Sequence, residues 1–302
     1  MINKVAIVGA GLMGHGLALV FADGGYDVSI TDSMAETLAS VKTRIATTLT
    51  TLGRDARSVD RVQTAASLEQ TVMDADLAIE AVPEKLALKQ DIFAKLEKAA
   101  KPSAILASNT SVIPIAQIAA RVTTRHRMVG THWWNPPYLV PLVEVIQAEG
   151  TSHETVAILM TLLASLGKVP VHVKKDVPGF VGNRLQHALW REAIALVEEG
   201  VCDADTVDLV VKNSFGRRLA VLGPLENADL VGTDLTLDIH EQVLPHINSV
   251  GAPSSYLKGL VQSGNLGFKS GHGFKSWTED KKSSLRAQVQ EHLKTMNTLL
   301  GN

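Results

Sequence analysis

The run Gly9-Ala10-Gly11-Leu12-Met13-Gly14 follows the apolar segment Val5-Ala6-Ile7-Val8 directly and opens a helical stretch, Leu12 to Ala22. A strand that passes through three glycines into a helix belongs to a narrow set of structures. The first glycine permits a tight turn, the second lets backbone approach a pyrophosphate, and the third allows close packing of helix on strand. The rest of the N-terminal part agrees with such a unit. Strand-like runs at 27–31, 77–82, 104–108, 128–132, 142–146 and 169–173 accompany helical patterns at 34–52 and 84–99. Alternation of this kind predicts an α/β fold, a Rossmann-type, mostly parallel sheet with helices on both faces.

The pattern changes at Asp176-Val177-Pro178-Gly179 and becomes helical, with a long amphipathic helix at 183–199 and further helices around 204–213 and 226–240. Pro-Gly is a natural boundary. We expect a nucleotide-binding domain over 1–178 and an all-α domain over 179–302, and 302 residues suffice for two cores. Lys plus Arg is 29 against 31 for Asp plus Glu, net −2, which argues against a nucleic-acid partner. The single cysteine, Cys202, excludes an intramolecular disulfide and a thiolate metal cage, and we expect no metal. The apolar stretch from Val5 to Ala22 holds four glycines and His15 and has no cleavage pattern, so we read it as fold rather than targeting signal. We expect no membrane span and a cytoplasmic protein.

Asp32 closes the second strand, 18 residues after Gly14. A carboxylate there accepts hydrogen bonds from a ribose 2′-hydroxyl and repels a 2′-phosphate, which favours NAD over NADP. Two other readings of the loop stay open at this point: a site for adenosylmethionine, and a glycine turn beside an ordinary aspartate.

Thr131-His132-Trp133-Trp134-Asn135-Pro136-Pro137 ends a strand, where ligands of parallel sheets bind. Twelve residues on, Glu144 lies within Pro141-Leu142-Val143-Glu144-Val145-Ile146, where a carboxylate needs a partner. An imidazole paired with it is suited to remove the proton of a hydroxyl group. A core histidine beside a local capping glutamate is the alternative.

Taken together these segments resemble the 3-hydroxyacyl-CoA dehydrogenase superfamily. The likeness extends over Ser108-Asn109-Thr110-Ser111, Asp176 to Arg184, Gly223-Pro224-Leu225 with Ala228-Asp229, and Gly267 to Phe274, nearly the whole chain. The resemblance implies NAD-dependent oxidation of the 3-hydroxyl of an L-3-hydroxyacyl-CoA or related 3-hydroxy acid, as in fatty acid metabolism. His132 is then the base, Glu144 its support, and Ser111 and Asn183 the contacts to substrate. Glu84, Lys89, Asn135 and Lys269 match positions that contact NAD, beside Gly9, Gly11, Leu12, Met13, Gly14 and Asp32. Alone, Lys89 and Lys269 read as solvated charges. The resemblance also implies a homodimer formed through the helical domain.

Two features depart from the CoA-specific pattern. The segment after the second strand, Met34 to Arg61, has one lysine, Lys42, with Arg44, Arg54, Arg57 and Arg61. Gly216-Arg217-Arg218-Leu219 is basic and looks like the L-gulonate 3-dehydrogenase (λ-crystallin) and carnitine dehydrogenase branch, in which Arg218 is placed to hold a substrate carboxylate. The Trp133-Trp134 segment and Lys174 to Val181 resemble a pyridine-carboxylate aldehyde dehydrogenase of the same superfamily. A catalytically silent NAD-binding protein is the alternative of another class; the joint presence of His132, Glu144, Ser111 and Asn183 speaks against it.

Overall fold

The computed structural model describes residues 2–301. β1 (Lys4–Val8) leads through the glycine turn into α1 (Leu12–Asp23). There follow β2 (Asp27–Thr31), α2 (Ala35–Ala39), α3 (Val41–Thr51), β3 (Val62–Thr64), α4 (Leu68–Val72), β4 (Leu77–Glu80) and α5 (Leu86–Ala99). Then come β5 (Ile105–Ser108), α6 (Ile115–Ile118), β6 (Met128–Trp133), β7 (Leu142–Ile146), α7 (His153–Ser165) and β8 (Val169–Val173). The strands form one sheet in the order β3-β2-β1-β4-β5-β6-β7-β8. All neighbours run parallel except β6 and β7, which are antiparallel. The expected mostly parallel α/β sheet is therefore present.

Successive side chains of β1 point to opposite faces, as the period of two requires. Val5 and Ile7 join a core with Leu17, Phe21, Ile45 and Leu159, under α1, α3 and α7. Ala6 and Val8 join a second core with Phe93, Leu96, Ile115 and Ile118, under α5 and α6. Burying both faces is what makes these strands near-continuous apolar runs. The order of strands reverses between β1 and β4, which lie side by side although β2 and β3 intervene in the chain. Such a switch point opens a crevice at the carboxyl ends of the strands.

Several elements differ from the sequence reading. The helix expected over 34–52 is two helices, broken at Ser40, whose hydroxyl donates to the Thr37 carbonyl. A serine that bonds nearby backbone competes with the helical ladder. The segment expected as one helix over 226–240 divides into α10 (Pro224–Val231) and α11 (Thr233–Val243) at Gly232, whose φ is 101°. β3, α4, α6 and α7 are additional. β3 has three residues and one buried side chain, too little for an alternation to register.

The chain divides into two compact units, one running to Arg184 and resumed from Gln290, the other Leu185–Val289. The second unit contains most of α8 (Gly182–Glu198), then α9 (Ala204–Asn213), α10, α11, α12 (Ser255–Gln262) and the start of α13 (Glu279–Leu300). Within it, Lys275 bridges Asp205 and Asp208, and Phe268 meets Trp277 edge-on. The end of α13 belongs to the first unit, where Asn297 donates to the Leu139 carbonyl at 2.7 Å. Among the described residues no helix is long and apolar enough to cross a membrane.

Candidate active site

The glycine turn is shaped by close approach. Gly9 has φ 108°, and a Cβ there would lie 2.6 Å from the Ala81 carbonyl oxygen. A Cβ on Gly14 would lie 1.7 Å from the Gly9 oxygen, so α1 packs directly on the turn. At Gly11 nothing stands within 4 Å of a Cβ position, and the side that faces away from the protein is open. Gly11 caps α1 without any side-chain bond to its first turn, leaving the Leu12, Met13 and Gly14 amides available to an anion. Asp32, at the end of β2, accepts from Ala10 N at 2.6 Å through Oδ2 and from Met34 N at 2.8 Å through Oδ1. Both donors hold the carboxylate beside the loop. The open glycine, the free helix terminus and the acid at the second strand fit a dinucleotide.

His132 and Glu144 face each other in register across the β6–β7 junction. Side chains directly opposite on one face are within contact distance, and here Nδ1 lies 2.7 Å from Oε2. Both groups are buried, 3% and 1% exposed. The other carboxylate oxygen, Oε1, accepts from Val181 N at 2.8 Å and Gly182 N at 3.0 Å, at the start of α8. Burial pushes the Glu144 carboxyl up, but the imidazole and the two amides outweigh it and hold it below its ordinary range. Glu144 therefore stays ionised and keeps the proton on Nδ1. Nε2 makes no hydrogen bond among the described residues and is not among the enclosed polar atoms that lack a partner. It is the free basic nitrogen of the pair.

A second charged cluster fixes the turn after β5. Glu80, wholly buried at the end of β4, accepts from Lys89 Nζ, Ser108 Oγ and Val82 N, each at 2.7 Å. Lys89 reaches on to Glu84 Oε2 at 3.2 Å. Glu84 Oε1 accepts from the Thr110 hydroxyl, from Ser111 N at 3.1 Å and from Val112 N at 3.2 Å. Burial raises the Glu84 carboxyl, and the Thr110 hydroxyl with the Lys89 ammonium brings it below its usual value. Asn183 Nδ2 donates to the Ser111 carbonyl at 2.7 Å. Ser111 is exposed, and its turn is tied at both ends.

The sequence-predicted residues thus fall in four places. Gly9, Gly11, Leu12, Met13, Gly14 and Asp32 share the β1–α1 turn. Glu84, Ser111 and Asn183 form one bonded chain. His132 and Glu144 form the other, with Asn135 exposed just beyond His132 and joined to Pro136 by a cis peptide. Lys269 and Arg218 are exposed residues of the second unit.

The reading of Lys89 as a solvated helix charge is overturned. It is 1% exposed, held by two carboxylates, and belongs to the core of the turn network. Glu80, Ser108 and Thr110 are site residues that the sequence reading misses. Glu80 carries the same signal as Glu144, a carboxylate within an apolar strand.

Trp133 is core, packed on Phe21, with Lys168 Nζ 5.7 Å from its ring. Trp134 is half-buried, its ring centroid 5.2 Å from that of His132. Of the basic residues after β2, Arg54 pairs with Asp23, Arg57 with Asp55 and Arg61 with Asp27, and Arg44 donates to backbone oxygens.

Comparison with known proteins gives the context. Residues 4–177 match the model for the 3-hydroxyacyl-CoA dehydrogenase NAD binding domain, and 179–277 match that for the 3-hydroxyacyl-CoA dehydrogenase C-terminal domain. The chain is 36% identical over 309 residues to a 5-formyl-3-hydroxy-2-methylpyridine 4-carboxylate 5-dehydrogenase of Mesorhizobium japonicum, covering 99% of each. A crystal structure of such a dehydrogenase, described as an NAD+ dependent dismutase, superposes with a TM-score of 0.93 at 34% identity, covering 100% of this chain and 99% of that one. An (S)-3-hydroxybutyryl-CoA dehydrogenase from Ralstonia eutropha superposes with 0.77 at 31% identity, over 92% of this chain and 100% of the other. Two domain models in sequence, and relatives of matching length, leave one assignment: the chain belongs to the 3-hydroxyacyl-CoA dehydrogenase family and is an NAD-dependent oxidoreductase.

Proposed function

We propose that the protein oxidises the 3-hydroxyl of an L-3-hydroxy acid or its CoA thioester, with His132 as general base. The observation that carries this reading is the Nδ1–Glu144 bond of 2.7 Å, which fixes the tautomer and leaves Nε2 able to accept a proton. NAD, when bound at the glycine turn, supplies the hydride acceptor. His132 Nε2 takes the hydroxyl proton, and the anionic Glu144 stabilises the imidazolium that results. Ser111 orients the substrate oxygen, and Asn183, bonded to the Ser111 carbonyl, keeps that turn in place while contacting substrate. Asp32, Glu84, Asn135 and Lys269 serve the cofactor, and Lys89, enclosed between Glu80 and Glu84, serves it by holding Glu84 in place. The division at 178/179 into a cofactor domain and a helical substrate domain goes with this reading.

A second reading, oxidation of a substrate bearing a free carboxylate, is favoured by the arginines after β2. Three of them pair with carboxylates of this chain and Arg44 donates to backbone oxygens, so each of the four has a partner within the chain that a CoA phosphate has to compete with. Arg218 then holds the carboxylate. The higher TM-score to the pyridine-carboxylate enzyme supports the same reading. An assay of NAD(H) turnover with acetoacetyl-CoA in reverse, L-gulonate and a short free 3-hydroxy acid separates the two. Turnover of acetoacetyl-CoA alone removes the second reading, and turnover of a free acid alone removes the CoA thioester as substrate.

The protein acts as a homodimer in the cytoplasm. Among the described residues of 185–289, Ala195 and Lys282 alone are buried, while Leu189, Trp190, Leu209, Leu225 and Leu230 are exposed. A helical unit with so little interior of its own gains stability by covering that surface with a second copy. Sedimentation of the intact protein tests this, and a monomer at micromolar concentration rejects it.

A further inference from the structure

The geometry points to Arg44 as a second determinant of cofactor choice, a cation at the ribose site whose pull on a 2′-phosphate is cancelled by Asp32. The inference rests on the reading of Asp32 as the acid that receives the ribose hydroxyl.

Ala10, between the first two glycines of the turn, is held from both sides. Its N–H donates to Asp32 Oδ2 at 2.6 Å, and its carbonyl accepts from Arg44 Nη2 at 2.6 Å. The acid and the guanidinium are thereby brought to one residue of the loop from different elements, the end of β2 and the first turns of α3. Arg44 does not swing freely. Nη2 also donates to the Thr37 carbonyl at 2.9 Å, and Nε donates to Ser40 Oγ at 3.2 Å. The break between α2 and α3 at Ser40 supplies that last acceptor, so the interruption of the helix and the placement of the cation are one feature. Nη1 makes no hydrogen bond among the described residues. Arg44 forms no ion pair with a carboxylate among the described residues, unlike Arg54, Arg57 and Arg61.

A dinucleotide whose ribose lies against Asp32 brings its 2′ substituent into this neighbourhood. With a hydroxyl there, Asp32 accepts a hydrogen bond. With a phosphate, Asp32 repels and Arg44 attracts, since a guanidinium with free N–H groups suits phosphate oxygens. The chain holds the positive partner for NADP already and excludes NADP by one negative charge. Cofactor selectivity here is a difference between two opposed interactions rather than the absence of a phosphate site.

Dissociation constants for NADH and NADPH, measured by fluorescence with no substrate present, test this in wild type, Asp32→Asn, Arg44→Met and the double variant. Asparagine keeps a carbonyl acceptor for Ala10 N and removes the charge. Asp32→Asn is expected to shift the NADPH-to-NADH affinity ratio toward NADPH by at least about tenfold, and adding Arg44→Met to reverse that shift by about tenfold. Arg44→Lys in the Asp32→Asn background retains part of the NADPH gain, which separates charge from any disturbance of the loop. A ratio that is the same in the double variant as in Asp32→Asn overturns the role of Arg44 and leaves that of Asp32 standing. An Asp32→Asn protein that binds both nucleotides as wild type does overturns both.

Discussion

His132 and Glu144 are cross-strand partners at the antiparallel junction of β6 and β7, and their side chains meet at 2.7 Å. The placement follows from topology. β6 runs parallel to β5 and delivers His132 toward the carboxyl edge, where β1 ends in the glycine turn. The chain returns along β6 as β7, and register sets Glu144 opposite the histidine. Val181 and Gly182, at the start of α8, then donate to the second oxygen of the same carboxylate. One glutamate thus aligns the imidazole and anchors the first turn of the helix that carries Asn183.

Replacement of His132 by glutamine removes the proposed base while leaving the glycine turn untouched. Turnover is expected to fall by roughly 10²–10⁴-fold, with the NADH dissociation constant within about threefold of wild type. Steady-state kinetics beside fluorescence titration checks both. Near-normal turnover excludes His132 from the proton transfer.

The pair Glu80–Lys89 is enclosed on all sides. Removing Lys89 leaves the Glu80 carboxylate buried without a counter-charge, so Lys89→Met is expected to cost about 3–5 kcal/mol in denaturant unfolding. The loss extends to the Ser111 turn, since Lys89 holds Glu84 and Glu84 holds three donors of residues 110–112. A loss below about 1 kcal/mol, the worth of an exposed pair, shows that the network carries little.

The sheet is legible in the sequence because both of its faces are covered, and fully buried strands read as uninterrupted apolar runs. The glycine turn is legible because its spacing is dictated by backbone contact at Gly9 and Gly14. The His–Glu pair can be read from the cost of an isolated carboxylate in an apolar strand, and the same reasoning applied to Glu80 finds the second network. What escapes is set by tertiary packing. Nothing local distinguishes Lys89 from a surface lysine of α5, and nothing in Arg44 announces the Ala10 carbonyl 34 residues away. The break at Ser40 depends on a single hydroxyl that prefers a neighbouring carbonyl.

Glu97, on α5, receives N–H and O–H donors from Thr123 and Thr124 at 2.6 to 2.9 Å. Burial acts to raise its carboxyl, and these donors overcome it, lowering it from 4.5 to about 2. A folded-state value below the unfolded one means stabilisation that is complete above pH 4.5 and is lost as pH falls toward 2. Wild type is expected to exceed Glu97→Gln in Tm at neutral pH, with the gap shrinking by about pH 3. A gap that does not change with pH means that the carboxylate form is not what is stabilised.

Arg218 is exposed in the second unit. The proposed carboxylate clamp requires two parallel hydrogen bonds from its guanidinium to a free acid. Arg218→Met is expected to raise KM for a free 3-hydroxy acid by about tenfold and to leave that for a CoA thioester within about twofold. Equal changes for both substrates remove Arg218 from substrate selection.

Gly182 joins the His132–Glu144 pair to Trp134 through the space its missing side chain leaves. A Cβ there would stand 2.5 Å from Trp134 Cζ2 and 3.4 Å from Glu144 Oε2. Gly182→Ala must therefore displace the indole, the first turn of α8 or both, and each of these contacts the His–Glu pair. Misplacement of a reacting group by an ångström costs up to about 10²-fold, so kcat is expected to fall by about tenfold or more while NADH affinity, set at the β1–α1 turn, stays unchanged. Trp134→Phe in the Gly182→Ala background relieves the contact and restores part of the rate. A single variant with wild-type kcat shows that the packing of Trp134 over Gly182 does not hold the imidazole in place.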